Sequence, residues 1–245
     1  MSRSFAVDVT DIVIGSGGLV ISLIIVSRRP ARRAVLSALI SFLSLLLLLR
    51  VSEPWLLAVA IFIALASKKW LAIDGRHIFN PSALAIVAVC ALTPAAWIAP
   101  GQWGHEAFVL LTMTVAGSLI ISRAKRVDVS IAFLITYAAL HFLRALYLGD
   151  PLAIVGHKLT NGALVMFAFF MISDPKTTPA TARTRVAFAG AVAATAFIFE
   201  TRWFIQGAPL YALVACAPLL RSDLFLCWLK SPNLPRWHPF NIARS

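Results

Sequence analysis

The sequence predicts an all-α integral membrane protein of about nine transmembrane helices, on three observations. The first is composition: the 245 residues are 60% hydrophobic and 13% charged, with a mean hydropathy of +0.86. Soluble domains carry about 25% charged residues, and a chain of this length could not enclose so much apolar surface in water. The second is arrangement, because the apolar residues form long continuous runs parted by short polar gaps. The third is charge, because the basic residues crowd into alternate gaps. That pattern sets membrane topology.

The runs lie at 12–26, 34–50, 54–67, 82–99, 107–122, 129–148, 151–172, 185–199 and 204–220. Hydrocarbon satisfies no backbone group, so each is expected to be helical. Around the first, Asp8 and Asp11 precede the run and Arg28, Arg29, Arg32 and Arg33 follow it. A basic cluster after the apolar run marks a retained helix rather than a cleaved leader. Within it, Ser16-Gly17-Gly18 allows close helix packing. The runs 54–67 and 185–199 are short for a bilayer, and Lys68, Lys69, Arg183 and Arg185 can snorkel to extend them.

One set of gaps holds Arg28 to Arg33, then Lys68, Lys69 and Arg76, then Arg123, Lys125 and Arg126, then Lys176, Arg183 and Arg185. The opposite set is nearly free of bases. The positive-inside rule therefore places the N-terminus outside and the C-terminus in the cytoplasm. Residues 1–224 form one polytopic membrane domain. Residues 225–245 form a cytoplasmic tail whose tryptophans and bases suit the membrane interface.

The net charge of +12 could suggest nucleic acid. The bases are dispersed among helix ends and make no single face, so the expected partner is the lipid bilayer and not nucleic acid. Cys90, Cys216 and Cys227 lie far apart and form no metal-binding spacing. No Walker loop, GxGxxG or nucleophile–base pair is present. Independent hydrolase chemistry is not expected.

Two polar, proline-centred breaks stand out: HIFNPS at 77–82 and SDPKTTP at 173–179. Asn80 suits an N-cap and Pro81 a first helical turn. Asp174-Pro175 should end the helix before it, because the residue preceding proline avoids the helical region. The topology sets both breaks on the cytoplasmic side, where they could shape one pocket. Gly75, His77 and Asn80 gather at a helix N-terminus, which favours anions and polar ring edges. Asp174, Lys176, Thr177 and Thr178 cluster at the second break.

Ionisable residues inside spans are costly. His141 and Arg144 lie one turn apart, and His157 and Lys158 open the next run. Snorkelling cations and a hydrogen-bonded histidine account for them, with a haem between His141 and His157 as the sharper alternative. Asn161 is expected to bond a neighbouring helix.

The stretches HIFNPSALAI and NGALVMFAFFMISDPKTTPATARTRVAFAG, continuing to GAPLYALVACAPLLRSD, are similar to a family of membrane subunits of electron transport complexes. That family joins RnfD, from Rnf-type complexes, with NqrB, from the sodium-translocating NADH:quinone oxidoreductase (RnfD/NqrB-like). The resemblance covers about 54–98 and 157–224. It implies ten helices in two inverted repeats, here lacking the first helix, in a bacterial-type cytoplasmic (inner) membrane. Other membrane electron-transport subunits are the implied partners. It also implies flavins. Members carry covalent FMN on a threonine of an S-G-A-T-like motif, which is missing between the two breaks of this chain. Covalent FMN is therefore not expected. A non-covalent riboflavin or FMN is the implied cofactor, held near Asn80, His77, Gly75 and Pro81, with Asp174, Lys176 and Thr177 at the second turn. His77 stands where the family usually has a second asparagine. The missing motif keeps open a second reading: a small-solute transporter or channel, or a structural subunit, without a redox group.

Overall fold

The computed structural model of the protein describes residues 9–26, 32–73, 76–99 and 125–220, with 115, 117 and 122 as single positions. The described residues are mainly helical and fall into two compact units that divide between Trp97 and Ile98. The expected run at 107–122 lies outside them apart from those single positions, as does the tail at 225–245.

The first unit holds α1 (Val9–Val26), α2 (Arg32–Leu48), α3 (Trp55–Trp70) and α4 (Pro81–Leu92). Asp11 in the first turn of α1 and Lys68 and Lys69 in the last turn of α3 complement the helix dipoles. Gly18 lets α1 lie almost on the backbone of α3, since a Cβ there would meet Ala58 Cα at 2.9 Å. Without a hydrophobic drive between helices in lipid, such close approach is what holds them together. Short strands join the helices. β1 (Leu49–Val51) pairs with β4 (Ala96–Ile98), while β2 (Ala72–Ile73) and β3 (Arg76–His77) form an antiparallel hairpin.

The second unit holds α5 (Val127–Leu148), α6 (Leu152–Leu159), α7 (Gly162–Met166), α8 (Ala182–Arg202) and α9 (Ala208–Leu220). Gly149 ends α5 at φ 74°, a left-handed cap that any residue with a Cβ would resist. α5 packs along α8 and α8 along α9. The buried stripe Ala189, Val192, Ala193 and Ala196 recurs at helical spacing, and Phe133 and Phe167 are fully buried in the same unit.

Among the described residues, three helices are long and apolar enough to cross a membrane: Val9–Val26, Val127–Leu148 and Ala182–Arg202. A fourth span results if α6 and α7 with its continuation count as one, although they bend by 51°. Nine spans are not shown. Two boundaries differ from the sequence expectation. The run 82–99 is helical only to Leu92, because Thr93 precedes Pro94 and takes the extended backbone φ −148°, ψ 139°. The run 151–172 is broken at Thr160–Asn161, where Asn161 starts a new helix by capping it.

Candidate functional site

The first break begins where α3 stops. Leu71 N–H closes α3 on Ser67 O at 2.9 Å, and the chain turns through the hairpin with Ala72 opposite His77 and Ile73 opposite Arg76. Ile78 N–H then returns to Leu71 O at 2.9 Å. Gly75, with Asp74, lies outside the described residues. Asp-Gly between apolar flanks is a strong hairpin signal. Asn80 has extended backbone, and its Oδ1 accepts Ala83 N–H at 3.1 Å. Pro81 follows at the first helical position and has no N–H to leave unpaired. His77, Asn80 and Pro81 are all buried. The turn is built as a helix start.

The second break lies in the other unit. After Met166 the helix widens into a π-turn over Phe167–Met171, closed by Ile172 N–H on Phe167 O at 3.0 Å. A π-turn displaces carbonyls from their usual partners, and Ser130 Oγ on α5 donates to one of them, Ala168 O, at 2.6 Å. Asp174 then organises the exit. Its Oδ1 accepts Lys176 N–H at 3.0 Å, and its carbonyl accepts the N–H groups of Thr177 and Thr178, each at 3.0 Å. Both threonine hydroxyls reach the same carbonyl, at 3.2 and 3.1 Å. Asp174, Lys176 and Thr177 thus share one turn. Burial pushes the Lys176 ammonium below its usual range, and the nearby Asp174 carboxylate opposes that shift. Thr181 then caps α8 by accepting Thr184 N–H at 3.3 Å.

A third group has no motif to announce it, because its centre, Glu200, lies in the last turn of α8 among bulky apolar residues. Tyr137 Oη on α5 donates to Glu200 Oε2 at 2.6 Å. His141 Nε2, one turn further along α5, stands 3.3 Å from the same oxygen. Lys158 Nζ on α6 pairs with Oε1. The available signal was spacing: Tyr137 and His141 are four residues apart on one helical face, and Glu200 is the only acidic residue of α8. His141 is buried toward Glu200 while His157 is exposed. Arg144 pairs with Asp150 at 3.6 Å. Asn161 Oδ1 accepts Ala163 N–H at 2.8 Å, so its carboxamide serves its own helix rather than a neighbour.

Apolar helices of spanning length, a broken helix beside them and ionisable side chains paired within them define a multi-pass helical membrane protein. Residues 97–221, just over half of the chain, match the NQR2, RnfD, RnfE family. The chain belongs to that family. No curated protein matches it. The matched stretch coincides with the second unit and holds both the Asp174 turn and the Glu200 cluster. The Asn80 turn precedes it.

Proposed function

We propose that the chain is the membrane subunit of an Rnf- or Nqr-type electron transport assembly, passing electrons in step with transmembrane ion movement. Family membership over residues 97–221 carries this reading. The chain would lie in a bacterial-type inner membrane, N-terminus outside and C-terminus cytoplasmic, as its alternating basic gaps suggest. Partner subunits would supply the nicotinamide and iron–sulfur chemistry, since three scattered cysteines cannot ligate a cluster.

The proposed cofactor is a non-covalent riboflavin or FMN at the Asn80 turn. Asn80 Oδ1 accepts Ala83 N–H, and the Asn80 carboxamide and His77 imidazole are the polar side chains of this turn that would recognise a flavin edge. Bound there, a flavin supplies one-electron and two-electron transfer, while the chain orients it and keeps water away. The protein purified in mild detergent should show flavin absorbance and fluorescence, and Asn80→Leu should lose both while still inserting in the membrane. A protein that stays colourless when riboflavin is added would remove the redox role. Flavin retained by Asn80→Leu would remove this site.

A further inference from the structure

The two halves of the broken helix are each complete in themselves. α6 ends on its own carbonyls: Thr160 N–H donates to Gly156 O at 3.1 Å, and the Thr160 hydroxyl reaches Gly156 O and His157 O at 3.1 and 3.2 Å. α7 starts on its own donors. Asn161 O accepts Leu164 N–H at 3.0 Å and Val165 N–H at 3.2 Å, while Asn161 Oδ1 accepts Ala163 N–H. The bond that crosses from one half to the other, Asn161 N–H to Lys158 O, is 3.4 Å long, beyond the usual range for an amide. A change in the 51° bend therefore disturbs little of the backbone pairing.

The other end of α6 is a second joint. Gly149 leaves α5 at φ 74°, Asp150 N–H closes on Ala145 O at 2.9 Å, and Pro151 opens α6 from an extended backbone. Hinges are a few element-terminal residues of this kind. We propose that α6 is a hinged segment between Gly149–Pro151 and Thr160–Asn161, and that the Lys158–Glu200 ion pair is the clasp that fastens it to α8. This goes beyond the electron-transfer reading and does not depend on a bound flavin.

Packing holds the two halves unequally. Val155 is the buried residue of α6, whereas Leu152, Ala153, Ile154, Gly156 and His157 are exposed. In the short α7, Gly162, Leu164 and Met166 are all buried, and burial continues through Phe167 and Ala168 in the π-turn. α7 is thus set in the core of the unit, and α6 lies on the outside of it against α5. Few buried apolar contacts mark a segment that opens at low cost.

Each joint carries one ion pair, and the two differ in strength. Arg144 and Asp150 stand 3.6 Å apart at the first, both more than a third exposed, so that pair contributes little. At the second, Lys158 stands two residues before the break and reaches Glu200 Oε1 on α8. Tyr137 Oη donates to Oε2 and so turns the other oxygen toward Lys158. A charge-assisted bond to an oriented carboxylate is among the stronger polar contacts. An ionised carboxylate stripped of its counter-charge among apolar helices is costly. The fastened position is therefore the resting one.

The test follows backbone hydrogen exchange by mass spectrometry in the full chain, purified in mild detergent. In the wild type, amides of 152–159 should exchange sooner than those of 162–171 and 185–200. Lys158→Met should speed exchange over 152–159 about tenfold, the loss expected for one hydrogen bond to a charged group, and leave 128–141 and 185–196 unchanged. Lys158→Arg keeps the clasp and should stay near the wild type. Exchange of 152–159 that Lys158→Met leaves unmoved, or acceleration spread equally over α5, α6 and α8, overturns the proposal. So does Lys158→Arg behaving as Lys158→Met, because the lysine stem and not its charge would then hold α6. The wild-type comparison needs no substitution, and equal protection of 152–159 and 162–171 overturns the hinge even where a variant fails to fold. Exchange is read without flavin or electron donor, so its failure is separate from failure of the electron-transport role.

Discussion

The two units spend their buried charges differently. In the first, cations end on backbone: Lys68 Nζ donates to Ser37 O at 2.6 Å, Lys69 Nζ to Val26 O at 2.8 Å, and Arg50 Nη1 to Leu46 O at 2.5 Å. The contacts at Val26 and Leu46 close the carbonyl ends of α1 and α2, where the dipole favours positive charge. In the second, cations end on carboxylates of other helices: Arg185 on Asp128, Lys158 on Glu200. A backbone carbonyl offers a partial charge only, whereas a carboxylate offers a full one. The first kind of contact closes helix ends, and the second ties one helix to another. The family match falls on the unit that carries the second kind.

The largest effect expected belongs to the first unit. Gly18→Leu would drive a side chain into Ala58, whose Cβ and Cα would lie 2.6 and 2.9 Å from the new Cβ. The obstacle is backbone as well as side chain, so the cost should reach about 3 kcal/mol. Gly17→Leu is its control, because nothing lies within 4 Å of that position. Thermal unfolding in detergent measures both. Equal effects at Gly17 and Gly18 would mean that α1 and α3 do not meet this closely.

A smaller loss is expected where the second unit is cut. Arg185 Nε donates to Asp128 Oδ2 at 2.8 Å and its Nη1 to Ala180 O at 2.7 Å, joining the starts of α5 and α8. Arg185→Met leaves Asp128 uncompensated. Because Asp128 is partly exposed, the cost should fall to about 2 kcal/mol, below that of a fully buried pair. Adding Asp128→Asn should return much of it. A double variant no more stable than the single would show that the contact is packing and not charge, and would weaken the contrast between the units.

Legibility in the sequence followed the same division. Residues that act on their neighbours in sequence were readable. Asn80-Pro81 starts α4, and the chain leaves the helix before Asp174-Pro175, because caps and proline sterics are local. The end of α4 at Thr93-Pro94 was equally local, yet the apolar run through Pro94 hid it. The break at Thr160–Asn161 was hidden in the same way, since hydropathy sees composition and not caps. Glu200 was unreadable for a different reason. Its partners lie 63, 42 and 59 residues away along the chain, and only the packing of α5, α6 and α8 brings them together.

The smallest effect expected decides what Asn80 is for. Asn80→Ala removes the acceptor for Ala83 N–H and should cost about 1 kcal/mol. Asn80→Ser supplies another capping oxygen and should stay within a few tenths of the wild type, roughly the spread among good caps. Serine lacks the carboxamide N–H2, however, and so separates the two duties assigned to this residue. A serine variant of unchanged stability that loses its flavin would make the amide a recognition group. One that keeps both would leave Asn80 a helix cap like Asn161 and Thr181, and the first unit wholly architectural.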